Sequence, residues 1–364
     1  MPWLPRLIDR VHPLLITMAL AVTVLQVATL GPGSLDRIVT VATMNMLLAL
    51  GIYVFSGTSG VITFGQLAFA AVGAYTAGLM RIPPEQKAQI LPELPSFILN
   101  ASLSETEAIL LAGGLAAVAA AILAIPLMRL TGLSAGLASL ALLFIALTTA
   151  RAWDDVTRGV RGLSAVPRGI TPNTALYWML AVMALVFVYQ LTRNGLRLMS
   201  SREDEVAASS VGVNVGLERG ISFVLSGFIM GIGGGLYVIF LGAINPRFFF
   251  ISLTFLIITM MVLGGFNSMA GAVVGAIVVS VIADVLRRAE TGDLFGIDLP
   301  SRLGFQDLIL AAILFLVILA RPEGITKGKE FVIGPIHRWA QKYEHRALVE
   351  PKPDPPAPRS DDAS

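Results

Sequence analysis

The stretch from Arg219 to Gly242 reads RGISFVLSGFIMGIGGGLYVIFLG, and after its first residue it contains no charged side chain. A helix needs about 20 consecutive apolar residues to cross the hydrocarbon core of a bilayer. The lipid interior offers no water to the backbone, so such a segment must pair its own N–H and C=O groups within a helix. The stretch therefore predicts a transmembrane helix.

The composition of the whole chain agrees with this prediction. Of its 364 residues, 55% are hydrophobic and 14% are charged, the net charge is +2, and the mean hydropathy is +0.77. Soluble globular chains contain about 25% charged residues, so this chain has too few polar side chains to cover a surface in water. An ordinary soluble enzyme is excluded. The alternation typical of membrane β-strands is absent, and a helical membrane protein is expected.

Apolar runs bounded by charged residues, prolines or glycines mark ten candidate spans. They cover roughly 13–30, 38–56, 62–80, 108–128, 132–150, 175–192, 219–242, 251–265, 270–286 and 305–320. The region 62–80 and the region 251–286 are interrupted by glycines and polar residues, which predicts broken or re-entrant helices there. The predicted fold is all-α, a polytopic transmembrane helical bundle of about ten spans (8–10), with broken or re-entrant Gly-rich segments.

The distribution of charged residues predicts the orientation and the domains. An even number of spans puts both termini on one side, and the Lys/Arg bias favours the cytoplasm. The acidic segment from Arg81 to Glu107 then faces outward. We expect an N-terminal cytoplasmic segment and retained first span over 1–37, a membrane domain over 38–325, and a cytoplasmic tail over 326–364. The tail is rich in proline from about 350 and is expected to be disordered there.

Two clusters of small residues stand out within the apolar runs. The first joins two runs and reads SGTSG at 56–60, followed by Thr63 and Gln66. It fits either tight helix packing or a broken helix beside a translocation path. The second contains Gly227, Gly231 and Gly235, whose spacing of four residues favours a close helix–helix interface.

A polar segment runs from Thr192 to Gly220 between two spans. Within it, Glu203 and Glu205 place acids in the first turn of a short helix predicted over 203–212, and Gly212 is suited to end that helix. Such a helix is too small to fold alone. The segment is either a solvated loop resting on lipid headgroups or a docking element for a cytoplasmic protein.

The sequence lacks the residues that several kinds of catalytic and binding site require. The chain has no cysteine and no nucleotide-binding P-loop, and its histidines are His12, His337 and His345. We expect no catalytic residue, no cofactor-binding residue and no metal ligand in this chain. Ionisable residues are nearly absent from the spans, which weakens the case for an ion-coupled carrier.

Four stretches together resemble the permease subunit of the branched-chain amino-acid ABC importers, the hydrophobic-amino-acid uptake family. They lie at 56–77, 205–215, 263–271 and 321–324. The second, EVAASSVGVNV, is similar to the family's E-x-A-A-x-x-x-G-I-N-V segment, and the last, RPEG, matches the motif that closes its membrane domain. The chain departs from the family at Arg158, which stands where a glycine is usual.

The resemblance implies a function and a set of partners. It implies uptake into the cytoplasm of branched-chain or other hydrophobic amino acids, or of a related small polar solute such as urea or an amide. ATP is used by two cytoplasmic ATPase subunits, and the other partners are a second permease subunit, an extracytoplasmic solute-binding protein and the lipid bilayer, with no nucleic acid. The implied location is a bacterial-type cytoplasmic (inner) membrane.

The resemblance also suggests roles for individual residues. The ATPase-docking loop spans 193–220, and its candidate contact residues are Glu203, Glu205, Ala207, Ala208, Gly212 and Asn214. The candidate residues of the translocation path are Thr63, Gln66 and Tyr75. The competing interpretation is a stand-alone secondary carrier or channel, which would leave the 203–212 segment without a partner. A membrane-embedded enzyme would need a nucleophile, base or metal cluster.

Overall fold

The computed structural model describes residues 3–29, 34–130, 132–291, 293–294, 297–298, 304–320, 323–328 and 330. Contacts divide the chain into one unit of Met18–Glu330 and another of Met1–Thr17 with Phe331–Ser364. The geometry below concerns the first unit. The predicted tail from residue 331 onward, with His337 and His345, lies outside the described residues, as do Arg321 and Pro322 of the RPEG motif.

The described residues form fifteen α-helices and one two-stranded antiparallel sheet. The helices are α1 (Trp3–Thr29), α2 (Ser34–Ile52), α3 (Leu67–Arg81), α4 (Pro84–Ile90), α5 (Ser96–Leu99), α6 (Glu105–Leu127), α7 (Gly132–Ala152), α8 (Asp154–Thr157), α9 (Pro172–Leu191), α10 (Arg193–Glu203), α11 (Glu205–Ser210), α12 (Val215–Leu241), α13 (Ile251–Gly264), α14 (Met269–Thr291) and α15 (Phe305–Ala320). A π-helical turn, Tyr53–Gly57, continues α2, and a 3-10 turn, Gly159–Arg161, follows α8. The sheet joins β1 (Asp293–Leu294) to β2 (Ile297–Asp298).

The helices match the predicted membrane bundle. Each of the ten predicted spans overlaps one of the longer helices, namely α1, α2, α3, α6, α7, α9, α12, α13, α14 and α15. Helix α1 begins earlier than its predicted span, at Trp3, and α3 begins later, at Leu67. Within the described residues, six helices are long and apolar enough to cross a membrane: 35–57, 105–127, 134–152, 172–191, 215–241 and 269–290. The all-α polytopic prediction is confirmed.

Both interruptions predicted from glycine and polar residues are present. Helix α3 has 15 residues and α13 has 14, so each is only about 21–23 Å long at ~1.5 Å per residue, shorter than the ~30 Å hydrocarbon core. Residues 60–66 before α3 are not helical. Their backbone is partly paired by side chains, since Phe64 N–H donates to Ser139 Oγ at 3.0 Å. Irregular backbone at membrane depth requires such partners.

Helix α12 is the central element of the bundle and packs against α2, α3 and α6. The three glycines singled out in the sequence face these neighbours. A Cβ added at Gly227 would collide with Ala120 of α6, and one added at Gly231 would lie 2.5 Å from the Cβ of Ala116. At Gly235 the nearest atom, the Cβ of Ala77, is 3.3 Å away. The α6–α12 crossing therefore requires the absence of side chains at Gly227 and Gly231.

The turn that contains Arg158 forms, although the resemblance predicts a glycine at this position. Arg158 adopts a left-handed conformation with φ of 58°, which is costly for a residue with a Cβ. Its guanidinium donates to Ser164 Oγ at 2.9 Å. This bond holds the strained turn next to the bridge between Leu163 and Ile244.

Candidate functional site

The polar segment between α9 and α12 folds into two short helices, α10 and α11. We call residues 193–214 the α10–α11 segment. A side chain caps each helix start: Thr192 Oγ1 accepts from Gly195 N–H at 3.2 Å, and Asp204 Oδ1 accepts from Ala207 N–H at 2.9 Å. Asn214 Oδ1 accepts from Leu217 N–H at 3.1 Å and begins α12. Local capping by short polar side chains thus defines where each helix begins.

The short helix is smaller than the sequence predicted. It spans Glu205–Ser210 rather than 203–212, because Asp204 has extended dihedrals and separates it from α10. Glu203, the first residue of the predicted helix, is instead the last residue of α10 and lies outside α11. At the other end Gly212 has φ of 87°. Gly212 N–H donates to Ser209 O at 3.0 Å and Val213 N–H to Ala208 O at 3.1 Å, the bond pattern of a Schellman motif.

Two apolar side chains in and directly after α11 are almost fully exposed. Val206 is 80% exposed and Val211 is 79% exposed, and the exposed Ser209 and Ser210 lie between them in the sequence. Ala207 is exposed beside them, whereas Ala208 is buried within the chain. Of the six candidate docking residues, five are exposed and only Ala208 packs internally.

Two ion pairs fasten the segment to the start of α12. The Arg219 guanidinium donates to both carboxylate oxygens of Glu205, at 3.1 and 2.8 Å. Nη1 of Arg197, in α10, lies 3.4 Å from Oε1 of Glu218. Bidentate arginine–carboxylate pairs fix orientation as well as distance. The Glu205–Arg219 pair therefore joins α11 directly to the first turns of α12.

A third contact joins the α10–α11 segment to the end of α2. Arg202 Nη1 donates to the carbonyl oxygen of Gly57 at 2.8 Å, and Arg202 also pairs with the exposed Glu203 at 2.8 Å. Gly57 is the last residue of the π-helical turn. The α10–α11 segment is thus bonded to α2 and to α12.

The π-helical turn itself is held by side chains from other helices. Ser222 Oγ of α12 donates to Val54 O of the turn at 2.6 Å, and Ser226 Oγ donates to Gly51 O, in α2 just before the turn, at 2.6 Å. Gln190 of α9 donates to the Tyr53 hydroxyl at 2.7 Å. π-Turns within α-helices are rare and are frequent at functional sites. The cluster of small residues at 56–60 predicted either tight helix packing or a broken helix here, but no local pattern predicted the π-turn.

The three candidate path residues occupy the broken segment and α3. Thr63 Oγ1 lies 3.1 Å from Ser56 Oγ, which joins the irregular segment to the π-turn. The Gln66 side-chain amide and the Tyr75 hydroxyl are buried, and neither has a hydrogen-bond partner among the described residues. An unpaired buried polar group lowers the stability of a fold by about 1–3 kcal/mol. The Gln66 amide and the Tyr75 hydroxyl are two such groups.

The residues after α15 pack against the turn between α13 and α14. Ile325 N–H donates to Leu263 O at 2.8 Å and Thr326 N–H to Gly264 O at 3.0 Å. The Glu330 carboxylate accepts from the backbone N–H groups of Met269 and Ala270, at 2.6 and 3.1 Å, and so caps α14. Burial raises the pKa of the Glu330 carboxyl above its usual value. The sequence had assigned residues from 326 onward to the tail.

Comparison with known proteins gives a family match over most of the chain. A family model described as "Branched-chain amino acid transport system / permease component" matches residues 34–319. The chain is 23% identical over 327 residues to the high-affinity branched-chain amino acid transport system permease protein LivM of Salmonella typhimurium. The matched region covers 80% of this chain and 70% of that protein. The LivM protein of Escherichia coli gives the same values.

A second group of relatives matches a shorter region. The high-affinity branched-chain amino acid transport system permease protein LivH of Escherichia coli is 30% identical over 159 residues, or 43% of this chain and 48% of that protein.

Proposed function

The chain belongs to the family of branched-chain amino acid transport system permease components, and from this premise we propose that it is the transmembrane permease subunit of an ABC importer. The resemblance drawn from its motifs is confirmed at the level of the family. Its proposed cargo is a branched-chain or other hydrophobic amino acid, or a related small polar solute such as urea or an amide. Partner subunits hydrolyse the ATP, and this chain supplies no catalytic residue.

The observation that carries the proposal is the construction of the α10–α11 segment. Val206 and Val211 are almost fully exposed, so both apolar side chains are available to a partner. The helix that carries Val206 and ends just before Val211 is fastened by Glu205 to Arg219 rather than being free to move alone. An exposed apolar surface on a rigidly connected element is what a cytoplasmic ATPase needs in order to move the membrane helices.

The contacts around the segment support a mechanism of transport. When the two ATPase subunits close on ATP, they displace α11. The pair Glu205–Arg219 carries the displacement to α12, and the bond from Arg202 to Gly57 carries it to the π-turn of α2. The contact of Ser56 with Thr63 extends it to the broken segment before α3. Packed helices move as rigid bodies, so the path between two permease subunits opens alternately to each side.

Thr63, Gln66 and Tyr75 remain our candidates for the translocation path. The unpaired amide of Gln66 and the unpaired hydroxyl of Tyr75 support this assignment, because a passing solute or water would satisfy them. We further propose that both termini are cytoplasmic, that a second permease subunit completes the path, and that an extracytoplasmic solute-binding protein delivers the cargo.

The test is gentle affinity purification of the tagged chain from its native membrane, followed by mass spectrometry of the associated proteins. Two nucleotide-binding subunits and a second permease are expected, and uptake into vesicles should require ATP on the cytoplasmic side. If the chain is recovered alone, in a detergent that preserves other ABC complexes, and uptake follows an ion gradient instead, the stand-alone carrier replaces this proposal.

A further inference from the structure

A cavity of about 280 Å³ lies between α2, α12, α13, α14 and α15. None of Thr63, Gln66 and Tyr75 lines it. Sites for small organic ligands commonly measure ~300–1,000 Å³, so this cavity suits a small metabolite. It lies at the Leu241 end of α12, whereas the α10–α11 segment meets the other end of that helix. In the proposed orientation this is the side from which solute arrives.

Polar side chains from three helices form the floor of the cavity. The Tyr237 hydroxyl of α12 donates to Asn45 Oδ1 of α2, and Asn45 Nδ2 donates to Ser280 Oγ of α14 at 3.2 Å. All three residues are buried. Polar groups inside a membrane bundle are costly unless paired, and a connected network of this kind fixes the helices that carry it. The network therefore keeps the cavity open with a defined shape.

Charged side chains lie at the mouth of the cavity. Asp284 is already engaged, since Arg287 and Arg288 pair with its two carboxylate oxygens at 2.5 and 2.8 Å. Arg37 also lines the cavity and has no ion-pair partner in the part of the chain that the structure describes. Among the described residues that line the cavity, two arginines, Arg37 and Arg287, accompany one carboxylate, Asp284. A guanidinium matches a carboxylate in both charge and bidentate geometry.

The walls between mouth and floor are apolar, formed by side chains such as Val41, Leu241, Phe248, Leu253 and Leu256. We propose that this cavity binds one amino acid with an apolar side chain, with its carboxylate on Arg37 and its side chain between Val41, Leu253 and Leu256. This inference rests on the proposed function and adds to it a binding site and the ligand groups that the site distinguishes. An apolar pocket with a few convergent polar groups is the usual form of such a site.

The test measures weak binding to the full-length chain in lipid nanodiscs by saturation-transfer difference NMR. L-Leucine is the probe, and L-leucinamide, which lacks the carboxylate, is the comparison ligand. We expect leucine to bind and leucinamide to bind about tenfold more weakly, because the charge-assisted bonds to Arg37 are lost. Arg37→Gln should weaken leucine binding to a similar extent, and Val41→Trp should abolish it by filling the cavity.

Matched variants separate the site from general effects. Arg129→Gln removes an exposed arginine at the end of α6, and Val118→Trp enlarges an exposed valine on that helix; neither should change leucine binding. Thermal unfolding of each variant identifies any that fails to fold. Absence of leucine binding to the unchanged chain, equal binding of leucinamide, or full binding to folded Val41→Trp would overturn the inference.

Failure of this inference is distinguishable from failure of the proposed function. Co-purification of ATPase subunits does not depend on the cavity, so an assembled importer that binds no leucine here refutes only the site. A chain that binds leucine in the cavity but never assembles with ATPases refutes only the importer.

Discussion

The guanidinium of Arg202 donates a hydrogen bond of 2.8 Å to the carbonyl oxygen of Gly57, a residue 145 positions earlier in the chain. Gly57 ends the π-turn of α2, and Arg202 belongs to the surface segment proposed to receive the ATPase. The bond therefore joins a candidate docking element to a membrane helix at a single point. Its removal tests whether motion passes along this route.

Arg202→Met should uncouple ATP hydrolysis from transport. The methionine keeps an unbranched side chain but cannot donate to Gly57, so α11 would move without displacing the π-turn. We expect ATP-driven uptake to fall roughly tenfold, within the usual range for coupling between two sites, while ATPase subunits still co-purify. Uptake and ATP hydrolysis are measured in the same vesicles. Arg193→Met is the control, since Arg193 is exposed on the same helix, and an equal loss in both variants would refute the specific role of Arg202.

Val206→Asp together with Val211→Asp should weaken ATPase docking. Both side chains are almost fully exposed, so the aspartates leave folding unaffected but place charge on the surface that the partner covers. Recovery of ATPase subunits with the tagged chain should fall at least about tenfold. Val160→Asp is a matched control, because Val160 is 75% exposed and lies between α7 and α9, outside the α10–α11 segment. Undiminished recovery with the double variant would remove this surface from the docking site.

Gly231→Ala should destabilise the bundle. Its new methyl group would lie 2.5 Å from the Cβ of Ala116 and 2.6 Å from the carbonyl oxygen of Ala112, so α6 and α12 must separate. Overpacking of this kind typically costs about 1–3 kcal/mol, which should lower the unfolding temperature in lipid nanodiscs. In Gly114→Ala the methyl group meets no atom within 4 Å. That variant should unfold at the same temperature or slightly higher, and a Gly231→Ala protein with unchanged stability would contradict the close α6–α12 contact.

Gly212→Ala should loosen the end of α11. The backbone at Gly212 has φ of 87° and open space around it, so the cost is the strain of a left-handed alanine, about 1–2 kcal/mol, and not a steric collision. Amide hydrogen exchange over residues 205–213 should become faster.

The control for Gly212→Ala is Gly216→Ala in the first turn of α12. There the nearest atom to the added methyl group is 3.7 Å away and the backbone is helical. Exchange over 205–213 should stay unchanged in this variant. Equal protection in Gly212→Ala and in the unchanged chain would show that the Schellman bonds do not stabilise α11.

The sequence by itself determined the class of the protein, the positions of its ten longer helices and the two interrupted segments. Those features depend on groups close together in the chain. Hydrophobic run length decides which segments enter lipid. The caps at Thr192, Asp204 and Asn214 act within three residues of themselves. Glu203 shows the limit of such reasoning, because the backbone at Asp204, and not the acidic composition, decides where α11 begins.

Only the tertiary structure decided which distant groups meet. It joins Arg202 to Gly57, buries Ala208 while exposing Ala207, and brings Asn45 and Ser280 together across 235 residues of sequence. Apolar helices present similar surfaces to lipid and to each other, so an apolar pattern does not specify which helices pack together. Their crossings depend on where side chains are absent, as at Gly231, and on which polar groups find partners. The cavity beside α2 is a consequence of those crossings.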